Sequence, residues 1–268
     1  MLDIQRISKT FLPGTINEKK ALDCVSFSAQ DSEFITVIGS NGAGKSTLFG
    51  AISGSFPLDA GKILLDGEDI THLPEYRRSR FIGRLFQDPM SGTSPGLTIE
   101  ENLSLVLLQG KKDATVFSRI TAKDRDMLAE KLAELGMGLE DRLKQPVGLL
   151  SGGQRQALAL LLATLYPPRL LLLDEHTAAL DPESALRIMG LTEKIARNSG
   201  ATCLMITHNI QQALDTGDRT LIMSKGRIVA DISGETRRSI GVSGLTELFR
   251  KNAGTDYASD RILLTDEI

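Results

Sequence analysis

The chain has 268 residues, of which 41% are hydrophobic and 24% charged, a composition typical of one large or two modest globular domains. Its formal net charge of -3 provides no basic field, so nucleic acid is not expected as a partner. The N-terminus "MLDIQRISKTF" lacks the apolar segment of a signal peptide, and the most apolar run, 157–166, is about half as long as a bilayer span requires. We therefore expect a soluble or peripheral protein.

The cysteines, Cys24 and Cys203, lie in apolar stretches far apart in the sequence. We expect both to be small buried side chains in a reducing compartment. A disulfide or a metal site is the alternative, although no ligand spacing supports it.

The first part of the chain has the sequence patterns of β-strands. Residues 1–33 alternate between apolar and polar groups, and "GKILLDGEDI" carries a turn pair at Asp66-Gly67, so antiparallel strands are predicted. Three later runs, "FITVIG", "RLLLLD" and "TCLMITH", are continuously apolar and are each followed by a helical pattern. This order predicts an α/β fold with a mostly parallel core sheet and ligands at the carboxyl ends of its strands.

Between about residues 88 and 168 the pattern changes to successive helices. One of them opens on a capping box, Thr98 with Glu101, and an amphipathic helix ends at Gly136. We interpret this stretch as a helical subdomain inserted into the α/β core.

The C-terminal part contains one clear feature. Residues 220–231, "TLIMSKGRIVAD", predict a hairpin that turns at Lys225-Gly226. The tail from about residue 233 to 268 is weakly patterned, and no role is predicted for it.

The segment "GSNGAGKST", 39–47, follows a predicted buried strand and opens a helix, which is the context of a phosphate-binding loop. Its glycines allow backbone N–H groups to face phosphates, Lys45 can reach the β- and γ-phosphates, and the Ser46 hydroxyl can bind Mg²⁺. The alternative is a glycine-rich turn with a surface lysine. The residues predicted to contact nucleotide here are Ser40, Asn41, Gly42, Ala43, Gly44, Lys45, Ser46 and Thr47.

Polar side chains follow two of the predicted buried strands. Asp174 is predicted to hold Mg²⁺, and Glu175 to orient and deprotonate the attacking water. His208 is predicted to donate to the γ-phosphate. Helix capping for the acids and a structural role for the histidine are the alternatives.

The stretch "LLSGGQRQALALLLATLY" places two glycines at the start of an apolar helix, where glycine is costly. Ser151 and Gln154 form a capping box, but Gly152 and Gly153 indicate that something approaches the backbone closely. Phe11 is a candidate to stack on adenine, with a core position as the alternative.

Together these segments resemble the ATP-binding-cassette ATPases from about residue 1 to 232. The matching segments, in chain order, are the phosphate loop at 39–47, the glutamine loop at Gln87, the signature "LSGGQ" at 150–154, the acidic strand end at Asp174-Glu175, the "AALD" loop at 178–181 and the switch residue His208. The resemblance implies a phosphate-loop ATPase fold over a single domain, 1–268, with an N-terminal antiparallel β region and an inserted helical subdomain.

The resemblance also implies a shared site. Two copies would pair head to tail, so that Ser151, Gly153 and Gln154 of one copy face the γ-phosphate held by Lys45 of the other, with two ATP molecules in the interface. Gln87 would serve catalysis and Mg²⁺ binding, and Asp181, whose "DPES" context predicts a helix N-cap, would also touch the second copy's site.

The resemblance to this family also implies a function. Such subunits resemble the detached motors of bacterial transporters at the cytoplasmic face of the membrane, where ATP-driven closure acts on transmembrane permease subunits. "FQDPMSGTSPGLTIEENL" with "DEHTAALD" looks most like an importer subgroup fed by an extracytoplasmic substrate-binding protein, with amino acids, including aromatic ones, as the suggested cargo. The alternatives are an exporter or membrane-remodelling complex, and a non-transport ATPase acting on DNA or ribosomes, whose typical coiled coils and zinc modules are missing.

One residue departs from the commonest family pattern. Where many members carry proline after the Asp-Glu pair, this chain has His176. It either adds a titratable group near the subunit interface or is a subfamily variation without catalytic consequence.

Overall fold

The computed structural model describes residues 1–110 and 120–253, except for the side chains of 109, 110, 252 and 253. The chain forms two compact units, which are described separately. The first unit contains Met1–Ile82 and the described residues from Gly200 onward, and the second is Gly83–Ser199.

The first unit begins with an antiparallel sheet. Its strands are β1 (Leu2–Phe11), β2 (Lys19–Ala29), β4 (Ala60–Leu65) and β5 (Glu68–Asp69), in the order β2-β1-β4-β5. Positive φ angles at Asp66 (53°) and Gly67 (81°) make the tight turn between β4 and β5 that the Asp-Gly pair predicts. The predicted antiparallel strands and this hairpin are confirmed.

Four further strands of the first unit run in the order β10-β9-β3-β8. They are β3 (Phe34–Gly39), β8 (Thr202–Ile206), β9 (Arg219–Ser224) and β10 (Arg227–Ser233). β3 is fully buried and pairs in parallel with β8 and β9, whereas β9 and β10 form the predicted hairpin around Lys225-Gly226. Parallel pairing with full burial explains the continuous apolar runs.

The helices of the first unit are α1 (Lys45–Ser53), α2 (Glu75–Arg78), α7 (Ile210–Thr216) and α8 (Gly234–Ala253). In α8, Gly241 has non-helical angles (φ 60°, ψ 177°), so the element consists of two helical halves. The part of the tail up to residue 253 is therefore a helix, which the weak sequence pattern did not predict. Residues 254–268 lie outside the described part of the chain.

The second unit contains strand β7 (Leu170–Asp174) and, except for its first residue, the neighbouring strand β6 (Ile82–Leu85). Its helices are α3 (Ile99–Gly110), α4 (Ala122–Ala133), α5 (Gly152–Thr164) and α6 (Pro182–Ser199). The capping box of Thr98 and Glu101 is formed, and Gly136 turns the chain shortly after α4 with a φ of 63°. The predicted helical subdomain, about 88–168, falls within this unit.

The core of the second unit is aliphatic. Its buried cluster joins α3, α4, α5 and α6 and contains Ile99, Leu103, Leu107, Leu128, Leu132, Leu135, Leu139, Val147, Leu150, Ala157, Leu158, Leu161 and Ile188. This packing fixes the start of α5, where the signature lies.

The cysteine prediction was half wrong. Cys203 is buried in β8, but Cys24 is exposed, because β2 is irregular where Cys24 takes a φ of 52°. Neither forms a disulfide within the described residues.

Candidate functional site

The phosphate loop connects β3 to α1 through backbone conformations that only glycine adopts easily. Gly42 and Gly44 have φ angles of 79° and 103°. A Cβ at Gly44 would lie 2.5 Å from the Ala21 carbonyl oxygen, and one at Gly39 would lie 2.5 Å from that of Met223. Conformation and packing therefore both demand the glycines, and the loop wraps tightly before the first turn of α1.

Lys45 is held in place by this loop. Its side chain is buried, and Nζ donates to the carbonyl oxygens of Gly39 (2.7 Å) and Ser40 (3.1 Å). The ammonium is thus positioned by the backbone that would surround the phosphates. Such preorganisation reduces the cost of ordering the lysine when an anion binds.

His208 lies at the same sheet edge as the phosphate loop. β3 and β8 are parallel with Val37 opposite Ile206, and the Thr207 N–H donates to the Val37 carbonyl (3.3 Å). β8 ends at Ile206, so His208 follows the carboxyl end of the strand that lies beside β3. Within the first unit, the phosphate loop and His208 therefore follow the carboxyl ends of two neighbouring parallel strands.

Phe11 ends β1 and is half-buried. Its ring packs edge-to-face on Phe56, with 5.2 Å between ring centroids, and the Lys9 Nζ lies 5.6 Å from the Phe11 centroid. The ring thus has packing partners of its own, and its stacking on adenine stays a prediction.

Lys19 is a neighbour of the loop that sequence reasoning missed. Its Nζ lies 3.6 Å from where a Cβ at Gly42 would be. The lysine lies on β2, and only the pairing of distant strands brings it to the loop, so no local spacing could have revealed it.

The acidic strand end lies in the second unit. β7 is completely buried, and Asp174 at its end is 8% exposed, with its Oδ2 4.0 Å from Nη2 of Arg84 on the neighbouring strand β6. Glu175 follows with a φ of 46°, a left-handed conformation that is costly for glutamate. Strain of this kind is common at functional sites.

His176 is a buried, neutral residue. Its Nε2 lies 3.1 Å from Oγ1 of Thr192, whose hydroxyl donates to the Ile188 carbonyl (2.8 Å). Because the Thr192 hydroxyl proton is used in the hydrogen bond to Ile188, the imidazole Nε2–H is the donor in the hydrogen bond to Thr192. Burial lowers the pKa of His176 to about 4. The structure thus favours variation without catalytic consequence over an interface titration.

The signature begins α5. Ser151 accepts from the Gln154 N–H (3.2 Å) and the Gln154 side chain accepts from the Ser151 N–H (3.2 Å), which is the predicted capping box. Ser151 and Gly152 are exposed at a helix N-terminus, where backbone N–H groups and the helix dipole favour an anion.

Packing within the second unit also explains the two glycines of the signature. A Cβ at Gly152 would lie 3.2 Å from Leu180, and one at Gly153 would lie 3.2 Å from Oγ of Ser184. The start of α6 therefore packs closely against the start of α5. This packing is a second explanation for the glycines, beside the predicted approach of a nucleotide.

Asp181 caps α6 as predicted. Its Oδ1 accepts from the Ser184 N–H (3.0 Å), and this hydrogen bond lowers the pKa of the Asp181 carboxyl. Pro182 occupies the first helical position.

Gln87 lies two residues after β6 and is exposed. Asp88 follows it and caps a short 3-10 helix, Pro89–Gly92, by accepting from the Met90 N–H (2.8 Å). The exposed amide is available to a ligand or a second protein.

The predicted site residues thus fall into two groups. The phosphate loop, Phe11 and His208 belong to the first unit, whereas Gln87, Asp174, Glu175 and the signature belong to the second. Within residues 1–110 and 120–253, no three acids, histidines or cysteines cluster as a metal site. In the same part of the chain, no helix is long and apolar enough to cross a membrane.

Comparison with known proteins identifies the family. The ABC transporter family matches residues 22–178. A tyrosine transport ATP-binding protein of Clostridioides difficile is 41% identical over 254 residues, covering 93% of this chain and 98% of that protein. The methionine import ATP-binding protein MetN of Rhizobium johnstonii is 38% identical over 215 residues, covering 79% of this chain and 56% of that longer protein.

Solved structures agree with the sequence comparison. The dimeric ATP-binding cassette MJ0796, in a post-hydrolysis state bound to ADP and phosphate, has a TM-score of 0.74 at 26% identity, covering 87% of this chain and 98% of that one. The chain therefore belongs to the ABC transporter family. It is an ATP-binding transporter ATPase with the phosphate-loop cassette fold.

Proposed function

We propose that the protein is the motor subunit of a bacterial ABC importer, in which two copies bind Mg-ATP head to tail and act on transmembrane permease subunits. The observation that carries the proposal is the buried Lys45 ammonium, which the carbonyls of Gly39 and Ser40 hold in a loop that follows β3, while His208 follows the neighbouring parallel strand β8. A cation and a hydrogen-bond donor at this edge of the sheet suit a terminal phosphate.

In the proposed reaction, backbone N–H groups of the loop and Lys45 bind the phosphates. Glu175 orients a water and accepts its proton as the water oxygen attacks the γ-phosphorus, while the bond to the ADP oxygen breaks. His208 donates to the γ-phosphate oxygens as charge develops on them.

Magnesium suits the proposed donors. Ser46 offers a hydroxyl, Asp174 a carboxylate and Gln87 an amide oxygen, which are hard oxygen donors. Mg²⁺ usually binds through one or two such side chains together with phosphates and water, so the lack of an acidic cluster among the described residues does not conflict with it. When bound, the ion would neutralise negative charge on the phosphates.

The second copy completes the proposed site. Ser151, which is exposed, would supply a hydroxyl, and the start of α5 at Gly153 and Gln154 would supply backbone N–H groups and a helix N-terminus, to the γ-phosphate bound by the other copy. The related cassette MJ0796 is dimeric in its structure bound to ADP and phosphate, which supports the pairing of two copies.

The cargo is proposed from the relatives. One is named for tyrosine transport and another for methionine import, so we assign this chain to amino acid import, with an aromatic amino acid as the favoured cargo. The motor would then lie at the cytoplasmic face of the membrane, with an extracytoplasmic substrate-binding protein delivering the cargo to the permease.

Replacing Glu175 by Gln tests the catalytic part. We expect hydrolysis to fall roughly 10² to 10⁴-fold, with ATP affinity retained, because the general base is lost. Glu130→Gln, on the exposed face of α4, is the matched control and should hydrolyse normally. Normal turnover by Glu175→Gln would show that Glu175 is not the base.

The same variant tests the transport part. Affinity purification of Glu175→Gln with ATP from its native membrane should recover a permease together with a substrate-binding protein, identified by mass spectrometry. A permease with a large extracytoplasmic domain and no binding protein would instead indicate export or remodelling. Recovery of ribosomes or DNA without a membrane protein would refute transport.

A further inference from the structure

The C-terminal helix packs on the helix that follows His208. Leu245 and Phe249 in the second half of α8 are 0% and 1% exposed. They belong to the same buried cluster as Ile210 and Ala213 of α7. All of these residues belong to the first unit.

Arg237, in the first half of α8, binds the C-terminal end of α7. Its Nη2 donates to the carbonyl oxygens of Ala213 (2.7 Å) and Leu214 (2.8 Å), and its Nε donates to Oγ1 of Thr220 (3.1 Å). The last carbonyls of a helix have no partner within the helix, and a cation there also interacts favourably with the helix dipole.

The same polar contacts reach the strand that leads into the phosphate loop. Thr220 Oγ1 lies 2.9 Å from Oγ1 of Thr36 on β3, and Thr36 Oγ1 donates to the Ala213 carbonyl (3.2 Å). Arg237 therefore ties the end of α7 to the strand that carries the loop.

The other end of α7 begins beside His208. Asn209 caps the helix by accepting from the Gln212 N–H (2.8 Å), and the Asn209 N–H donates to Oγ1 of Thr207 (3.1 Å). Because α7 has only seven residues, a shift at its C-terminal end moves its capped end as well.

We propose that α8 is a positioning element of the ATPase, in which Arg237 fixes α7 and thereby places His208 at the phosphate loop. This inference rests on the role of His208 given under the proposed function. This role of the C-terminal tail is not indicated by its sequence pattern.

Histidine spectroscopy provides a test that does not depend on turnover. The chain has three histidines, so a ¹H–¹³C spectrum of the full chain labelled in histidine contains few ring signals, and His208→Ala assigns one of them. We expect Arg237→Ala to shift the His208 ring signal. The neighbouring Arg238 is exposed, and Arg238→Ala should leave that signal in place.

Kinetics then separates positioning from general damage. Arg237→Ala should lower kcat about tenfold, because small misplacements at a reacting centre are costly, while the Kd for ATP stays within about twofold. When Arg237→Ala is combined with His208→Ala, we expect no further loss of kcat, since both changes remove the same contribution of His208. Arg237→Lys, which keeps the charge but cannot reach all three acceptors, should be intermediate, and it replaces Arg237→Ala if that variant fails to fold.

An unchanged His208 signal with unchanged kcat in Arg237→Ala, or additive losses in the double variant, would overturn the positioning role and leave the proposed function standing. Full activity of His208→Ala would instead remove the catalytic role of His208, and the inference with it.

Discussion

At position 176 the chain carries an imidazole that donates to the Thr192 hydroxyl inside the second unit. The sequence showed the histidine but not its partner, because the two residues are 16 positions apart and meet only when the segment after β7 packs against α6. What sets the protonation state is burial, a property of the packed structure. The sequence therefore predicted a choice of roles for His176, and the structure favours one.

This burial predicts an acid-linked loss of stability. The pKa of His176 is about 4 in the folded protein against 6.5 for an ordinary histidine, so below pH 6.5 the unfolded chain binds the proton more readily. The stabilisation is complete above pH 6.5 and is lost as the pH falls towards 4, by up to about 3 kcal/mol.

Denaturant unfolding between pH 7.5 and 4.5 measures this effect. His176→Gln keeps a donor for Thr192 but has no proton to gain, so its free energy of unfolding should fall less with pH. His72→Gln, at an exposed histidine, is the control and should follow the parent. Identical slopes for His176→Gln and the parent would contradict the burial argument.

At the scale of elements, the C-terminal end of α1 is closed by a buried arginine. Arg78 donates through Nη1 to the carbonyls of Ala51 (2.9 Å) and Ile52 (2.8 Å), and through Nε and Nη2 to those of Leu73 and Thr71 (both 2.8 Å). Desolvation lowers the pKa of Arg78, yet an arginine stays charged. The guanidinium thus anchors the helix that starts at the phosphate loop.

Removing this group should be costly. Arg78→Met leaves four carbonyls without their donor, and we expect a loss of about 3 kcal/mol in the free energy of unfolding. Arg77→Met, one residue earlier and exposed, should change stability by less than about 0.5 kcal/mol. Equal midpoints in urea for the two variants would refute the anchoring role.

Comparing two capping boxes of the second unit separates the effect of losing a helix cap from the effect of losing a nucleotide contact. Thr121 caps α4 with the same geometry as Ser151 caps α5. Each alanine variant should lose about 1 kcal/mol of stability. Only Ser151→Ala should also lower steady-state ATP hydrolysis, by about tenfold, because it removes the donor proposed for the γ-phosphate. Equal hydrolysis rates in the two variants would limit Ser151 to a capping role.

Elements were predictable where one local pattern dominates. The buried strands β3, β7 and β8 appear as unbroken apolar runs, and the capping boxes at Thr98 and Ser151 mark helix starts. Helix α8 was missed because Gly241 divides it and its buried residues, Leu245 and Phe249, lie only in the second half. Its burial depends on α7 and β9, which no local pattern encodes.

At the scale of the whole molecule, the order of the motifs along the chain was sufficient to indicate the family. That order needs no knowledge of packing, because the phosphate loop, the signature and the acidic strand end are each read from local sequence. The comparisons then confirmed the family over most of the chain. Lys19 and Arg237 could not be predicted, since strand pairing and helix packing alone give them their neighbours.

The central claim is that ATP is bound between two copies of the chain. The most direct test is the mass of Glu175→Gln in solution, measured by light scattering after gel filtration with and without ATP and Mg²⁺. We predict one chain without nucleotide and two chains with it. Adding Ser151→Arg to the same variant should keep it at one chain while ATP still binds. A nucleotide-bound single chain, or a dimer that Ser151→Arg does not disturb, would contradict the shared site.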